Sequence, residues 1–258
     1  MPRLVDRTAD VRRWTGVAAL AVAALLVTEF FVRLFMGDRP DLDDREALAA
    51  FTDDYANQTL VKIMIDLFLM TAMIVLFGGF RQVITEARRD LQWIADIAFG
   101  AGTVFVAITL VADALEAGSA LDAIGMDPDP SAIRALTEGY TLMFGATGCV
   151  LIALIAAASG YVTLLSGALP AWTGWVAIGV AVTNLLAVPT MFGGTSTDDF
   201  WSAGGVGVAL IATFPFFAWA VVVGIVTIRG TRHHERRRDQ RTAQTQSGIA
   251  GPGASGYW

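Results

Sequence analysis

The chain has 258 residues, 55% of them hydrophobic and 16% charged, with a formal net charge of −6 and a mean hydropathy of +0.56. A soluble domain carries roughly 25% charged residues, and one water-soluble core of this length cannot hide so much apolar surface. The composition excludes a soluble globular protein and points to an all-α bundle in a bilayer.

A hydrocarbon core of roughly 30 Å takes about 20 helical residues. Apolar segments of that length fall near 14–36, 59–80, 91–116, 138–166, 171–191 and 203–228. They define a six-helix transmembrane domain over residues 14–229, between a basic N-terminal stretch (1–13) and a basic tail (230–258). The first segment outruns the apolar region of a signal peptide and continues into Phe30, Phe31, Arg33 and Phe35, so it reads as a retained anchor. After Pro40, residues 41–58 resemble an amphipathic helix running into the second span. Asp129 and Pro130 have the chemistry of an N-cap and a first helical residue, so a short helix should feed straight into the fourth span. The brief SGALPAW connection makes the fourth and fifth spans antiparallel neighbours. Gly204, Gly205 and Gly207, where the sixth span opens, permit close approach of a neighbouring helix. The tail from Gly230 to Trp258 has too little apolar surface to offset the entropy of ordering and is expected to be disordered.

Arginine sets the orientation. Arg3, Arg7, Arg12, Arg13, Arg81, Arg88, Arg89, Arg229, Arg232, Arg236, Arg237, Arg238 and Arg241 all fall on one side of a six-helix arrangement. Arg39, Arg45 and Arg134 fall on the other, with Arg33 at a helix end. Both termini are therefore expected in the cytoplasm. The preference for Arg over Lys, with abundant Ala and Gly, suggests a GC-rich bacterial genome and hence a bacterial plasma membrane.

Glu29, Asp66, Asp96, Asp113, Glu116 and Glu138 lie within the expected spans. An ionisable group near the bilayer centre costs at least about 2.5–3.5 kcal/mol, so each needs an explanation. Alternating helix direction gives all but Asp96 a common depth, in the outer half, together with Arg33, Lys62, Tyr140 and Asn184. Glu29, Lys62, Asp66, Asp113, Glu116, Tyr140 and Asn184 are thus candidates for lining a polar ligand cavity open to the extracytoplasmic side. Lys62 and Asp66 are spaced i, i+4 and can pair on one helix face. A structural account fits the same residues: interhelical ion pairs for Glu29, Lys62 and Asp66, and solvated helix ends for Glu116 and Glu138. Asp96, close to Arg88 and Arg89, fits a solvated helix end on the cytoplasmic side.

Several chemistries are missing. The only histidines, His233 and His234, lie in the tail, which removes histidine-ligated haem and histidine-rich zinc sites. The single cysteine, Cys149, sits in an apolar run as a small hydrophobe, so no disulfide, iron–sulfur or thiolate zinc site follows. There is no glycine-rich phosphate loop and no G-x-S-x-G elbow. No cofactor, resident metal or nucleic acid is expected, although hard cations such as calcium or magnesium could use the outer carboxylates.

The GALPAWTGW start of the fifth span and the closing FPFFAWAVVVGIV of the sixth resemble uncharacterised bacterial six-helix membrane proteins grouped as a domain of unknown function. That resemblance implies the fold and no activity.

Three functions compete at this level. The first is binding of a small or lipid-like ligand, for sensing or transport, with membrane lipids as the surrounding partner. The second is an accessory subunit docking with another membrane protein, or with its own copies, through small-residue faces such as GATGCVLIALIAAASG. The third is a membrane enzyme using paired carboxylates on a lipid.

Overall fold

The computed structural model describes residues 2–125 and 129–230. Every regular element among them is helical: α1 (Pro2–Met36), α2 (Arg45–Asp54), α3 (Ala56–Ala87), α4 (Gln92–Ile124), α5 (Pro130–Ser166), α6 (Ala171–Phe192) and α7 (Val206–Gly230). All except α2 are long and apolar enough to cross a membrane. The expected disordered tail lies outside the described residues, save Gly230. Within the basic N-terminal stretch the chain is already helical, with α1 beginning at Pro2 and its apolar span at Asp10.

Local chemistry sets the helix ends. Gly37, at φ +76°, ends α1 in the left-handed region that favours glycine, and Pro40 follows. Asp44 caps α2 by accepting from the Ala47 N–H at 3.0 Å. Asp129 caps α5 by accepting from the Ser131 N–H at 2.9 Å, with Pro130 at the first position. As expected, that helix runs on unbroken into the fourth span, Pro130–Ser166. The expected boundaries fall short at two places: α3 continues to Ala87 and α4 to Ile124. Helix length is not limited by bilayer thickness, and both extensions find protein to pack on.

α1 packs on α3, α3 on α4, α4 on α5, and α5 on α6. Small residues bring backbones together. A Cβ on Gly160 would lie 2.8 Å from the Gly174 carbonyl oxygen, which locks α5 to α6. A Cβ on Gly16 would lie 3.2 Å from the Gly224 oxygen, which sets α1 against α7. The small-residue face of α5 proposed for an outside partner is thus occupied within the chain, with Cys149, Ala153, Ala156 and Gly160 all buried. The glycines at the start of α7 also differ from expectation. Gly204, Gly205 and Gly207 press on the backbone oxygens of Thr195, Asp199 and Phe200, so they accommodate the chain's own preceding loop and not a neighbouring helix.

The main core joins Val22, Leu69, Met73, Leu76, Phe105, Ile155, Val180 and Trp219 from six helices. Outward-facing positions are equally apolar, as with Phe68 (62% exposed) and Val182 (51%), which is the surface a hydrocarbon solvent accepts.

A second small core closes one end of the bundle. Leu42, Leu48 and Ala49 of the α2 segment pack on Ala123 of α4 and Ile133 of α5. Arg134 reinforces this layer with an ion pair to Asp43 at 3.1 Å and another to Glu138 at 2.8 Å. The Thr197 N–H donates to Asp41 at 2.9 Å and ties the last loop to the same cap.

Candidate functional site

Beneath that cap lie the buried charges. α3 contributes Lys62 and, one turn deeper, Asp66; α4 contributes Asp113 and Glu116; α5 contributes Tyr140. Lys62, Asp66 and Asp113 are 4%, 2% and 2% exposed. Each sits on a helix whose apolar neighbours hold it at this depth.

An ammonium has three N–H donors. The three of Lys62 are taken by Glu116 Oε1 at 2.6 Å, Glu116 Oε2 at 2.5 Å and the Tyr140 hydroxyl at 3.2 Å. The ammonium also lies 4.9 Å from the centre of the Tyr140 ring, a cation–π contact. Lys62 therefore pins three helices together and is itself satisfied. The expected partner within α3 was Asp66. That pair does not form, because a lysine preceding an acid by four residues is the poorer orientation on a helix and Glu116 offers both oxygens from α4. Glu116 is consequently no solvated helix end: its side chain is 17% exposed and ion-paired. Glu138 is the more open surface acid, paired with Arg134. At the opposite end of the bundle, Asp96 takes Arg81 as its partner, while Arg88 turns to Asp90 at 2.6 Å instead.

Asp66 and Asp113 form the second part of the site. They are neighbours across the α3–α4 contact. Both oxygens of Asp113 are buried and receive no hydrogen bond from a protein donor among the described residues. Glu29 of α1 lies within electrostatic reach of Asp66, Lys62 and Glu116, and Arg33 approaches it from the same helix.

Below Asp66 the bundle is not fully packed. A cavity of about 40 Å³ extends from Asp66 toward the middle of the bundle. Cavities of 10–15 Å³ already admit a water, so this one has room for two or three, or for one small organic molecule. Its wall is apolar: Leu26 from α1, Met70 and Met73 from α3, Phe105 from α4, Phe144, Cys149 and Ile152 from α5, and Phe216 from α7. Only Asp66 and Thr213 bring polar side chains.

Two of the helices change pitch along this cavity. α5 passes through a π-helical turn at Met143–Thr147, and α7 through another at Ala209–Thr213. Such turns widen a helix by one residue and are frequent at functional sites. Asn184 of α6 serves the second turn: its amide donates to the Ala212 carbonyl at 3.4 Å and to Val180 at 3.0 Å.

Six expected site residues, Glu29, Lys62, Asp66, Asp113, Glu116 and Tyr140, thus gather at one end of the bundle, and Asn184 stands apart as a link between α6 and α7. The expected polar cavity differs in kind. Most polar groups satisfy one another under a cap, and the open space lies beside them among apolar side chains. No three Asp, Glu, His or Cys side chains among the described residues converge as a metal site. The residue that sequence reasoning missed is Arg39. Gly37 turns the chain back over the bundle, and the buried Arg39 Nε finds no acceptor among the described residues. Burial lowers the guanidinium pKa, with Tyr140 and Glu116 opposing that effect. The helix stop at Gly37 and Pro40 was the available signal for this return.

No protein-family model matches the chain, and neither a curated protein nor a solved structure matches it. Function is therefore read from these residues.

Proposed function

We propose that this multi-pass membrane protein binds a small ligand in the cavity beside Asp66, at the extracytoplasmic end of a bundle whose termini are both cytoplasmic. The arginine distribution supports the orientation. One observation carries the binding reading: the buried Asp66 lines unfilled space, beside Asp113, whose two buried oxygens have no protein donor among the described residues. Buried polar groups are otherwise almost always paired, and an exception marks a ligand, a water or a functional group. Pockets between the helices of a bundle, apolar with a few convergent polar groups, are common ligand sites. Asp66 is the ligand-facing acid, with Asp113 beside it. Lys62, Glu116 and Tyr140 form the frame that holds them at fixed separation, with Glu29 adding to the negative potential.

The test is native mass spectrometry of the full chain released from mild detergent. The wild type is expected to carry an adduct of one reproducible mass, and Asp66→Asn to lose it while eluting as the same oligomer. A bare wild-type mass, or an adduct retained by Asp66→Asn, overturns the reading.

A second reading, acid–base chemistry, draws on the same neighbours, since paired carboxyls are an established catalytic arrangement. It requires the bound molecule to emerge chemically changed, which the adduct mass after incubation reports.

A further inference from the structure

We infer that the cavity beside Asp66 takes a small organic cation, an alkylammonium of a few carbons, with its N–H donors on Asp66 and its carbon body among Met70, Phe105 and Phe144. The inference rests on the binding reading above and adds the chemistry of the ligand.

Donor accounting comes first. Lys62 is the buried cation nearest the pair, and Glu116 and Tyr140 occupy all three of its N–H groups. Lys62 is not within ion-pair distance of Asp66 or Asp113, and Glu116 matches its charge one for one. Asp66 is left on the cavity wall outside ion-pair range of Lys62, beside Asp113, whose two oxygens have no protein donor among the described residues. An ionised carboxylate only accepts hydrogen bonds, so what this end of the cavity lacks is a donor. The groups around Asp66 are mostly acids. Glu29 acts on it from α1 and Asp113 and Glu116 from α4, with Lys62 the opposing cation, while the α7 wall of the cavity has no charged group. Arg39 acts on Tyr140, Glu116 and Arg33 at the cap.

The wall then selects among ligands. An anion would meet the acids at close quarters in a weakly screened site. A ligand with only acceptors would find Thr213 as its sole side-chain donor. An inorganic cation would need several oxygen ligands, and no third carboxylate converges with the pair. An ammonium supplies both the charge and the donors. The faces of Phe105 and Phe144 and the sulfur of Met70 suit the carbons beside a cationic nitrogen. The 40 Å³ volume sets the size at a few heavy atoms.

The experiment compares isopropylammonium with 2-propanol, which has nearly the same shape and no charge, by saturation-transfer NMR on the full chain in mild detergent. Isopropylammonium should bind saturably and at least tenfold more tightly than 2-propanol. In Asp66→Asn that preference should fall at least tenfold. The two-ligand comparison on the wild type needs no variant and stands even if Asp66→Asn fails to fold. Equal binding of both compounds overturns the cation inference and leaves the cavity reading standing. Binding of neither overturns both.

Discussion

Lys62 shows how one side chain settles between competing partners. Its ammonium donates to Glu116 and Tyr140 and not to Asp66. Removing one partner of a buried ion pair is far worse than removing both, because the survivor keeps its desolvation cost. Lys62→Met should therefore destabilise the bundle by about 3–5 kcal/mol. That corresponds to a melting temperature lower by about 6–20 °C for a chain of this size. The double variant Lys62→Met/Glu116→Leu should recover most of the loss. Thermal melts in mild detergent check this, and a double variant as unstable as the single one would mean that the pair contributes more than mutual neutralisation. The i, i+4 spacing of Lys62 and Asp66 was visible in the sequence. The better partner was not, because Glu116 lies 54 positions away and only the packing of α3 on α4 brings it near.

At the scale of the helix, the π turns in α5 and α7 are the irregular segments that border the cavity. A π turn is one residue more than an α-helix needs over the same rise, so the segments on either side keep their facing. Deleting Gly145 should convert Met143–Thr147 to plain α-helix and leave the fold intact. Nothing lies within 4 Å of a Cβ built on Gly145, so little packing goes with it. Deleting Ala153, in the regular part of α5, should instead rotate everything beyond it by about 100° and break the Gly160–Gly174 contact. Size-exclusion profiles and melting temperatures distinguish the two, and equal collapse of both deletions counts against the π turn as an inserted residue. The Gly145 deletion should also lose the bound adduct, since Phe144 forms part of the cavity wall. No composition signal announces either turn: MFGAT and ALIAT read as ordinary apolar helix. The caps at Asp44 and Asp129 were legible, because a capping side chain acts on backbone within three residues.

For the whole molecule, the arginine pattern makes a topological prediction. In a Cys149→Ala background, a membrane-impermeant maleimide should label Asp198→Cys on intact cells and Glu86→Cys only after lysis. Both positions are exposed, and they lie at opposite ends of the bundle. Labelling in the reverse order would place the capped, acidic end in the cytoplasm and remove the extracytoplasmic ligand route.

Sequence alone determined the number of spanning helices and the depth of each charged residue along them. Depth follows from counting about 1.5 Å per residue from a helix end, and that count needs no knowledge of neighbours. The same count assigns Glu29, Lys62, Asp66, Asp113, Glu116 and Tyr140 to one end of the bundle. Only the tertiary structure decided which way each helix is turned about its axis, and hence that Glu116 meets Lys62, that Asp66 meets Asp113, and that Asn184 turns to Ala212. In a soluble helix the polar face reveals that angle. Here the core and the lipid are both apolar, so Leu69 facing inward and Phe68 facing outward obey the same rule of composition. Packing geometry, not hydrophobicity, separates them.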